Sequence, residues 1–442
     1  MNPRPTRLLL ASTMLALALL AGCATQTVAP SKVSYDAELR LEERRAGFTR
    51  MMNALREDFY DPQLRGISWQ SLHDRYAPQV DAANTAGAYY AVVSRLAAEV
   101  GDSHVYVRPP VETADRKART VTGLGVSVRF IGDEPVVLGV RKGGPADRAG
   151  LKRGMVVDAI DGRSAQAIRA EINANTPPTA HPSFAVRQLS RWTRLPVGTT
   201  AKWTVREGDA ATARTVDIVS ESVAVEPPTR IRVDKRPDNI TVVRIAEVGS
   251  EPFWGFRDTI AANKNAAGII IDLRGNPGGA VLGALGVVDP FLDSTEDIGR
   301  LKFRPMNKAL SWLAFMSSDS SSPITTGRLF EREYNGPLIV LIDENTASAA
   351  EMIAASLQDF AGAKVVGRRS CGCVTGLFGF SSLPGGGEFA VSRMQVVMTK
   401  RGSIERVGVT PDVEVPITRE DLLSDRDVSM QAALALLQRA RS

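Results

Sequence analysis

Apolar positions along this chain change their period twice. From Tyr35 to Pro110 they recur at three- and four-residue steps: Leu39, Leu41, Phe48, Met51, Met52, Leu55 and Phe59, then Tyr89, Val92, Val93, Leu96 and Val100. That spacing lines one side of a helix and predicts amphipathic helices. Asp61-Pro62 breaks the first, Gly101 ends the second, and Asp102 to Val107 reads as a short strand. Between Thr122 and Val223 the apolar runs become short and are punctuated by glycine, as strands and turns are. From Arg230 onward strand-like and helix-like runs alternate: Ile240 to Ile245, Phe253 to Ala262, Gly268 to Leu273, Val281 to Val288, Leu338 to Ile342, Ala347 to Phe360, Ala363 to Gly367 and Val391 to Met398. Such alternation predicts an α/β layered core. A last helix is predicted over Val428 to Ala440. The polar stretch Leu292 to Glu333, with an apolar patch at Leu310 to Met316, reads as an irregular flap. The chain thus divides into a helical region (35–118), a β-rich module (119–225) and a layered core with a C-terminal helix (226–442).

The first 22 residues stand apart. Arg4 and Arg7 precede an apolar run, Leu8 to Leu20, that is short for a membrane span and has the charged and apolar regions of a signal peptide. Leu20-Ala21-Gly22-Cys23 resembles the bacterial lipobox. That resemblance implies cleavage before Cys23, diacylglycerol on its sulfur and a tether over 23–34. Ala24 in place of Asp resembles lipoproteins sent on to the outer membrane, so the expected location is the cell envelope, facing the periplasm. Composition changes little: 442 residues, 44% hydrophobic and 23% charged, are ordinary for a soluble multidomain protein. The net charge of +5 comes without a Lys/Arg cluster interleaved with aromatics, which argues against a nucleic-acid partner.

Candidate chemistry centres on Ser348. It sits where the strand Leu338 to Ile342 turns into a helix, and the N–H groups of a helix start favour negative charge. A nucleophilic serine needs such donors for its oxyanion; the plain alternative is a helix N-cap. The loop Asp272-Leu273-Arg274-Gly275-Asn276-Pro277-Gly278-Gly279 follows another predicted strand. It lacks a dinucleotide fingerprint, and its N–H groups are also candidates to face an oxyanion. Histidine is scarce, with 3 in the chain. His104 is weighed as a structural or a catalytic residue; His73 and His181 suggest no role. Cys371 and Cys373 are too few for a metal site with so little histidine. A disulfide across one residue is strained, and the simplest reading is two small residues packed behind the serine. No cofactor or metal is expected.

Two resemblances sharpen this reading. Gly123-Leu124-Gly125-Val126, then Pro145-Ala146 to Gly154, then Ile160-Asp161-Gly162, resemble a PDZ domain of the bacterial protease type. That implies a loop, Gly123, Leu124, Gly125 and Val126, that captures a peptide carboxylate beside a strand edge. Thr176 to Arg194 interrupts the pattern as an insertion. Residues 272–279, 336–359, 364–370 and 408–415 together resemble the C-terminal processing proteases and the tricorn-type core, which implies a ClpP/crotonase-like layered fold. The resemblance makes Ser348 the nucleophile, with Ala349, Gly278 and Gly279 as the oxyanion hole. It departs at the general base: the family lysine falls at Cys373 and its supporting glutamine at Leu377. The tricorn-like branch uses a His from the first core strand, which reads Val242-Val243-Arg244-Ile245 here, and a Glu matched by Glu405. Asp102-Ser103-His104 is similar to an Asp-Gly-His stretch of that branch. The implied function is an envelope serine endopeptidase acting on polypeptides, with His104 and Glu405 as candidate bases and a histidine base predicting an acid limb near pH ~6.5. The alternative is a catalytically silent peptide-binding lipoprotein of the same fold.

Overall fold

The computed structural model describes residues 35–208, 212–225, 230–249, 254–304, 321–326 and 331–440. Cys23 with its apolar leader, and the patch Leu310 to Met316, lie outside the described residues. The chain is a multidomain α/β protein built on a six-stranded sheet. Its order is Ile231–Lys235, Ile240–Ile245, Gly268–Asp272, Leu338–Ile342, Lys364–Gly367 and Val413–Glu414. The first pair is antiparallel and every later pair parallel. Alternate residues face opposite layers. Val243, Ile245, Ile269, Ile271, Val340 and Ile342 pack beneath helices Val281–Val288 and Ala349–Phe360. Val242, Ile270, Ile339, Leu341 and Val366 meet Ala433 and Leu437 of helix Val428–Arg439. With both faces covered, these strands read as unbroken apolar runs.

The stretch expected to be an irregular flap instead supplies two strands. Asp297–Phe303 pairs with Ser321–Thr325 on one side and Ser392–Met398 on the other, in a four-stranded antiparallel sheet. Polar residues such as Asp297, Arg300 and Lys302 hid the pattern, because one face of this strand meets solvent.

In the N-terminal region, helices Leu41–Glu57, Trp69–Ala82 and Ala86–Glu99 close around Met51, Leu55, Leu72, Tyr89 and Leu96. This core is completed by Leu383, Phe389 and Val391 from far along the chain. Strand Tyr106–Arg108 pairs antiparallel with Glu388–Ala390, which stitches the first region to the last. His104 lies before that strand, not within it: the Asp102 carboxylate accepts the His104 N–H at 3.0 Å, holding 102–104 as a turn.

The middle module is a sheet ordered Val126–Ile131, Glu134–Val140, Val156–Ile160, Thr200–Arg206 and Arg214–Val219 around the buried Trp203. Strands Thr120–Gly123 and Glu221–Ala224 pair as the stem through which the chain enters and leaves. The interruption at 176–194 folds as helix Ser183–Ser190, which lies against the outer strand Val126–Ile131. No helix among the described residues is long and apolar enough to cross a membrane.

Candidate active site

Strand Leu338–Ile342 ends at Asp343, whose Oδ1 accepts the N–H groups of Gly275 at 2.9 Å and Asn345 at 3.0 Å. Thr346 Oγ1 donates to the Leu273 carbonyl at 2.9 Å, so the serine turn and the glycine loop are bound to each other. The helix begins at Ala349, one residue after Ser348. Ser348 has φ 55° and ψ −125°, a backbone geometry that ordinarily selects glycine. Its hydroxyl makes no helix-cap hydrogen bond; the Glu351 N–H goes to the Ser348 carbonyl at 2.8 Å instead. Residues held in such sparsely populated regions cluster at functional sites.

The two glycines are required by space and by conformation. A Cβ on Gly278 (φ 98°) would lie 2.6 Å from the Cβ of Ser348, and one on Gly279 (φ 142°) would lie 1.8 Å from the Val248 carbonyl. The Gly278 N–H is already engaged, donating to Asn276 Oδ1 at 2.8 Å. Fully buried Asn276 also donates to the Ile245 carbonyl at 2.8 Å and accepts the Ala347 N–H at 2.9 Å. It therefore joins both loops beside the serine, and among the described residues the N–H groups of Gly279 and Ala349 have no such side-chain partner.

Cys371 and Cys373 are not two free small residues: they are joined by a disulfide, with their Cα atoms 5.2 Å apart. Their loop wraps the carboxylate of fully buried Glu351. Oε1 accepts from Ser370 Oγ at 2.6 Å and the Gly372 N–H at 2.8 Å; Oε2 accepts the N–H groups of Cys373 at 2.8 Å and Ser348 at 3.0 Å. Burial raises this carboxyl above its ordinary range, against the pull of those donors. His181, to which the sequence suggested no role, holds the same loop. Its Nε2 lies 2.8 Å from the Gly372 carbonyl, 191 residues away in the chain. Burial pushes His181 down to about 4, so the neutral ring donates there and accepts the Ser183 N–H at Nδ1, 3.1 Å away.

His104 and Glu405 are brought together by Ser103. Ser103 Oγ donates to Glu405 Oε2 at 3.0 Å and lies 2.8 Å from His104 Nδ1. Glu405 also accepts the N–H groups of Ser103 and Val374, each at 2.8 Å. The successive amides of Cys373 and Val374 therefore bind Glu351 and Glu405 respectively, which couples the relay to the serine turn. Thr375 Oγ1, 3.2 Å from His104 Nδ1, donates to Asp102 at 2.9 Å. Burial, then the charge of Asp102, pushes Glu405 up to about 7. Burial and the charge of Arg187 push His104 down to about 4, below the ordinary value expected from sequence. Ser103 was missed because its role exists only through a partner 302 residues away. The lysines near the site in sequence are engaged on the surface: Lys364 faces Asp412 at 3.4 Å, and Lys400 donates to the Asp359 carbonyl at 2.6 Å. Among the described residues, no group of three or more His, Cys, Asp or Glu side chains is placed to hold a metal ion.

In the middle module, the Leu124 N–H donates to the Thr193 carbonyl at 2.8 Å, so the 176–194 segment covers part of the loop Gly123 to Val126. Arg129, on the outer strand, forms an ion pair with Glu344 in the serine turn, and Arg368 Nε meets the same carboxylate at 2.5 Å.

A largely parallel sheet thus sets a strained serine, at a strand–helix turn, against a glycine loop. Residues 239–415 match the family model of Peptidase family S41, and residues 41–98 match that of the Tricorn protease C1 domain. It is similar to a carboxyl-terminal-processing protease of Picosynechococcus sp., 25% identical over 361 residues, covering 79% of this chain and 78% of that one. Carboxyl-terminal-processing peptidase 3 of the chloroplast of Arabidopsis thaliana is 25% identical over 403 residues, covering 87% and 71%. Among solved structures, mature CPAF shares the fold with a TM-score of 0.68 at 14% identity, covering 90% of this chain and 98% of that one. The photosystem II D1 C-terminal processing protease does so with a TM-score of 0.52 at 20% identity, covering 86% and 96%.

Proposed function

We propose that this protein is a serine endopeptidase in which Ser348 is the nucleophile and His104 the general base. The observation that carries this is the chain Glu405–Ser103–His104, hydrogen-bonded at 3.0 and 2.8 Å. With the Ser103 hydroxyl turned to Glu405, neutral His104 donates from Nδ1 to Ser103 Oγ and keeps a lone pair on Nε2. As Ser348 Oγ attacks a peptide carbonyl, its proton passes to Nε2. The imidazolium so formed is stabilised by Glu405 through Ser103, and the oxyanion by the N–H groups of Ala349 and Gly279. His104 then hands the proton to the leaving amine. Water, deprotonated by the same base, releases the acyl group. A base held near 4 in the resting site needs a negative partner when it charges, and buried Glu405 is that partner. This replaces the family lysine, whose position is occupied by Cys373.

The middle module is proposed to act as a PDZ domain that takes substrate C-termini at the edge of Val126–Ile131 once helix Ser183–Ser190, which lies against that strand, gives way. Cys23 is proposed to anchor the chain to the envelope membrane. Fluorophosphonate labelling tests the core of this reading. Wild-type protein should be labelled, Ser348→Ala should not, and His104→Ala and Glu405→Gln should be labelled far more slowly. A wild type that resists labelling and turns over no unfolded polypeptide favours the silent binding module instead.

A further inference from the structure

A cavity opens where the N-terminal helices meet the inserted helix Ser183–Ser190. Its volume is about 30 Å³, room for a carboxylate-sized group, between Ala98, Val105, Tyr106 and Phe184, and three charged side chains line it: Glu112, Arg187 and Arg191. The two guanidiniums are four residues apart, on one side of the helix and its end. Each makes a single hydrogen bond among the described residues, to a hydroxyl: Arg187 Nη1 to Ser183 at 2.9 Å and Arg191 Nη2 to Ser94 at 3.1 Å. Glu112 forms no ion pair with either. The lining thus carries two positive charges against one negative. Charged groups withdrawn from water are costly unless paired, and burial is the largest influence on both arginines, lowering their pKa values. Arginine binds carboxylates through two parallel N–H bonds, and these forks have donors to spare.

We infer that this cavity is a substrate subsite that receives one peptide carboxylate on Arg187 and Arg191. It stands beside the proposed base: Val105 and Tyr106 follow His104 directly in the chain, and the charge of Arg187 is felt at His104. A carboxylate seated there offsets that charge and makes His104 a stronger base when substrate is bound. The inference rests on the peptidase reading for its meaning, yet the cavity can be tested without turnover. Two sources supply a carboxylate, the peptide's C-terminus and an Asp or Glu side chain, and the test separates them.

The experiment uses the full chain carrying Ser348→Ala and three acetylated hexapeptides of one sequence. One ends in a free carboxylate, one is amidated, and one is amidated with an internal Asn replaced by Asp. Binding is measured calorimetrically. One charge-assisted bond is worth roughly 1.5–3 kcal/mol, or about a 10–150-fold change in Kd. A gain of that size for the free acid over the amide assigns a terminal carboxylate, and a gain for the Asp peptide assigns a side chain. Either gain should vanish in Arg187→Gln and shrink in Arg191→Gln. If Arg187→Gln fails to fold, Arg187→Lys, which keeps the charge and loses the fork, should retain part of it. Equal binding of all three peptides, or a preference that survives both glutamine substitutions, overturns the subsite. Labelling of wild-type Ser348 then reports separately on the peptidase reading.

Discussion

Ser103 occupies one position of a turn and touches neither atom between which the proton is proposed to move, Ser348 Oγ and His104 Nε2, meeting the ring only at Nδ1. Its hydroxyl relays Glu405 to His104, so it is a positioning residue. Ser103→Ala should lower kcat by roughly 10–100-fold, with KM little changed, because the interaction gained is with the imidazolium that forms during reaction. Ser103→Thr, which keeps the hydroxyl, should recover much of the loss. Equal kcat in Ser103→Ala and wild type would sink the relay. The pH profile gives an independent measure. Glu405 is pushed up to about 7 and must be ionised to act, so kcat/KM should fall as pH drops through that value. His104, near 4, adds a second fall only in stronger acid. Glu405→Gln should be slower and flat between those two pH values. A single limb near pH ~6.5 that persists in Glu405→Gln would mean an ordinary imidazole and a wrong relay.

At the scale of the element, the loop from Ser370 to Thr375 matters more for its backbone than its side chains. Its amides hold Glu351 and Glu405, while His181 and Arg406 grip the Gly372 carbonyl at 2.8 and 2.7 Å. Replacing both cysteines by serine should therefore leave Ser348 labelling intact, with a rate reduced by no more than about tenfold if the remaining hydrogen bonds hold the loop. Complete loss there, with Ser348→Ala still active, would instead point to a thiol enzyme. His181→Ala should slow labelling through the loop alone.

Much of the element map was legible. Ile240–Ile245, Val281–Val288 and Leu338–Ile342 coincide with their predicted bounds, since buried parallel strands and their helices are written as uninterrupted apolar runs. The strand Asp297–Phe303 was illegible because its exposed face is charged. The serine and its glycine loop could be found from local sequence and resemblance. Ser103, Asn276 and His181 could not be given roles, because each acts through a partner on another element.

For the molecule as a whole, the two buried histidines make acid stability a measurable consequence. Both are lowered from 6.5 to about 4. The unfolded chain therefore binds more protons between these values. The stability they contribute is fully present above pH 6.5 and is lost as pH falls toward 4. Glu405, raised from 4.5 to about 7, works oppositely: its contribution is fully present below 4.5 and is lost as pH rises through 7. Buried Asp102 and Glu351, also raised, act with Glu405 and against the two imidazoles, so the histidine part is read by difference: His181→Gln should make the change in melting temperature from pH 7 to pH 4.5 less unfavourable than in wild type. An identical pH response in His181→Gln and wild type would contradict the buried, neutral state of that ring.

The antiparallel pairing of Tyr106–Arg108 with Glu388–Ala390 bears on timing. The turn that carries His104 is fastened by a segment made almost last, and its partner Glu405 is made later still. Contacts of such sequence separation form late, since a long loop must close before they are rewarded. A chain still emerging from the ribosome would hold the serine turn with His104 not yet fastened in place. A peptidase working through the proposed relay would stay inert while it is being made, and would come into its activity only when the final strands have folded back onto the first.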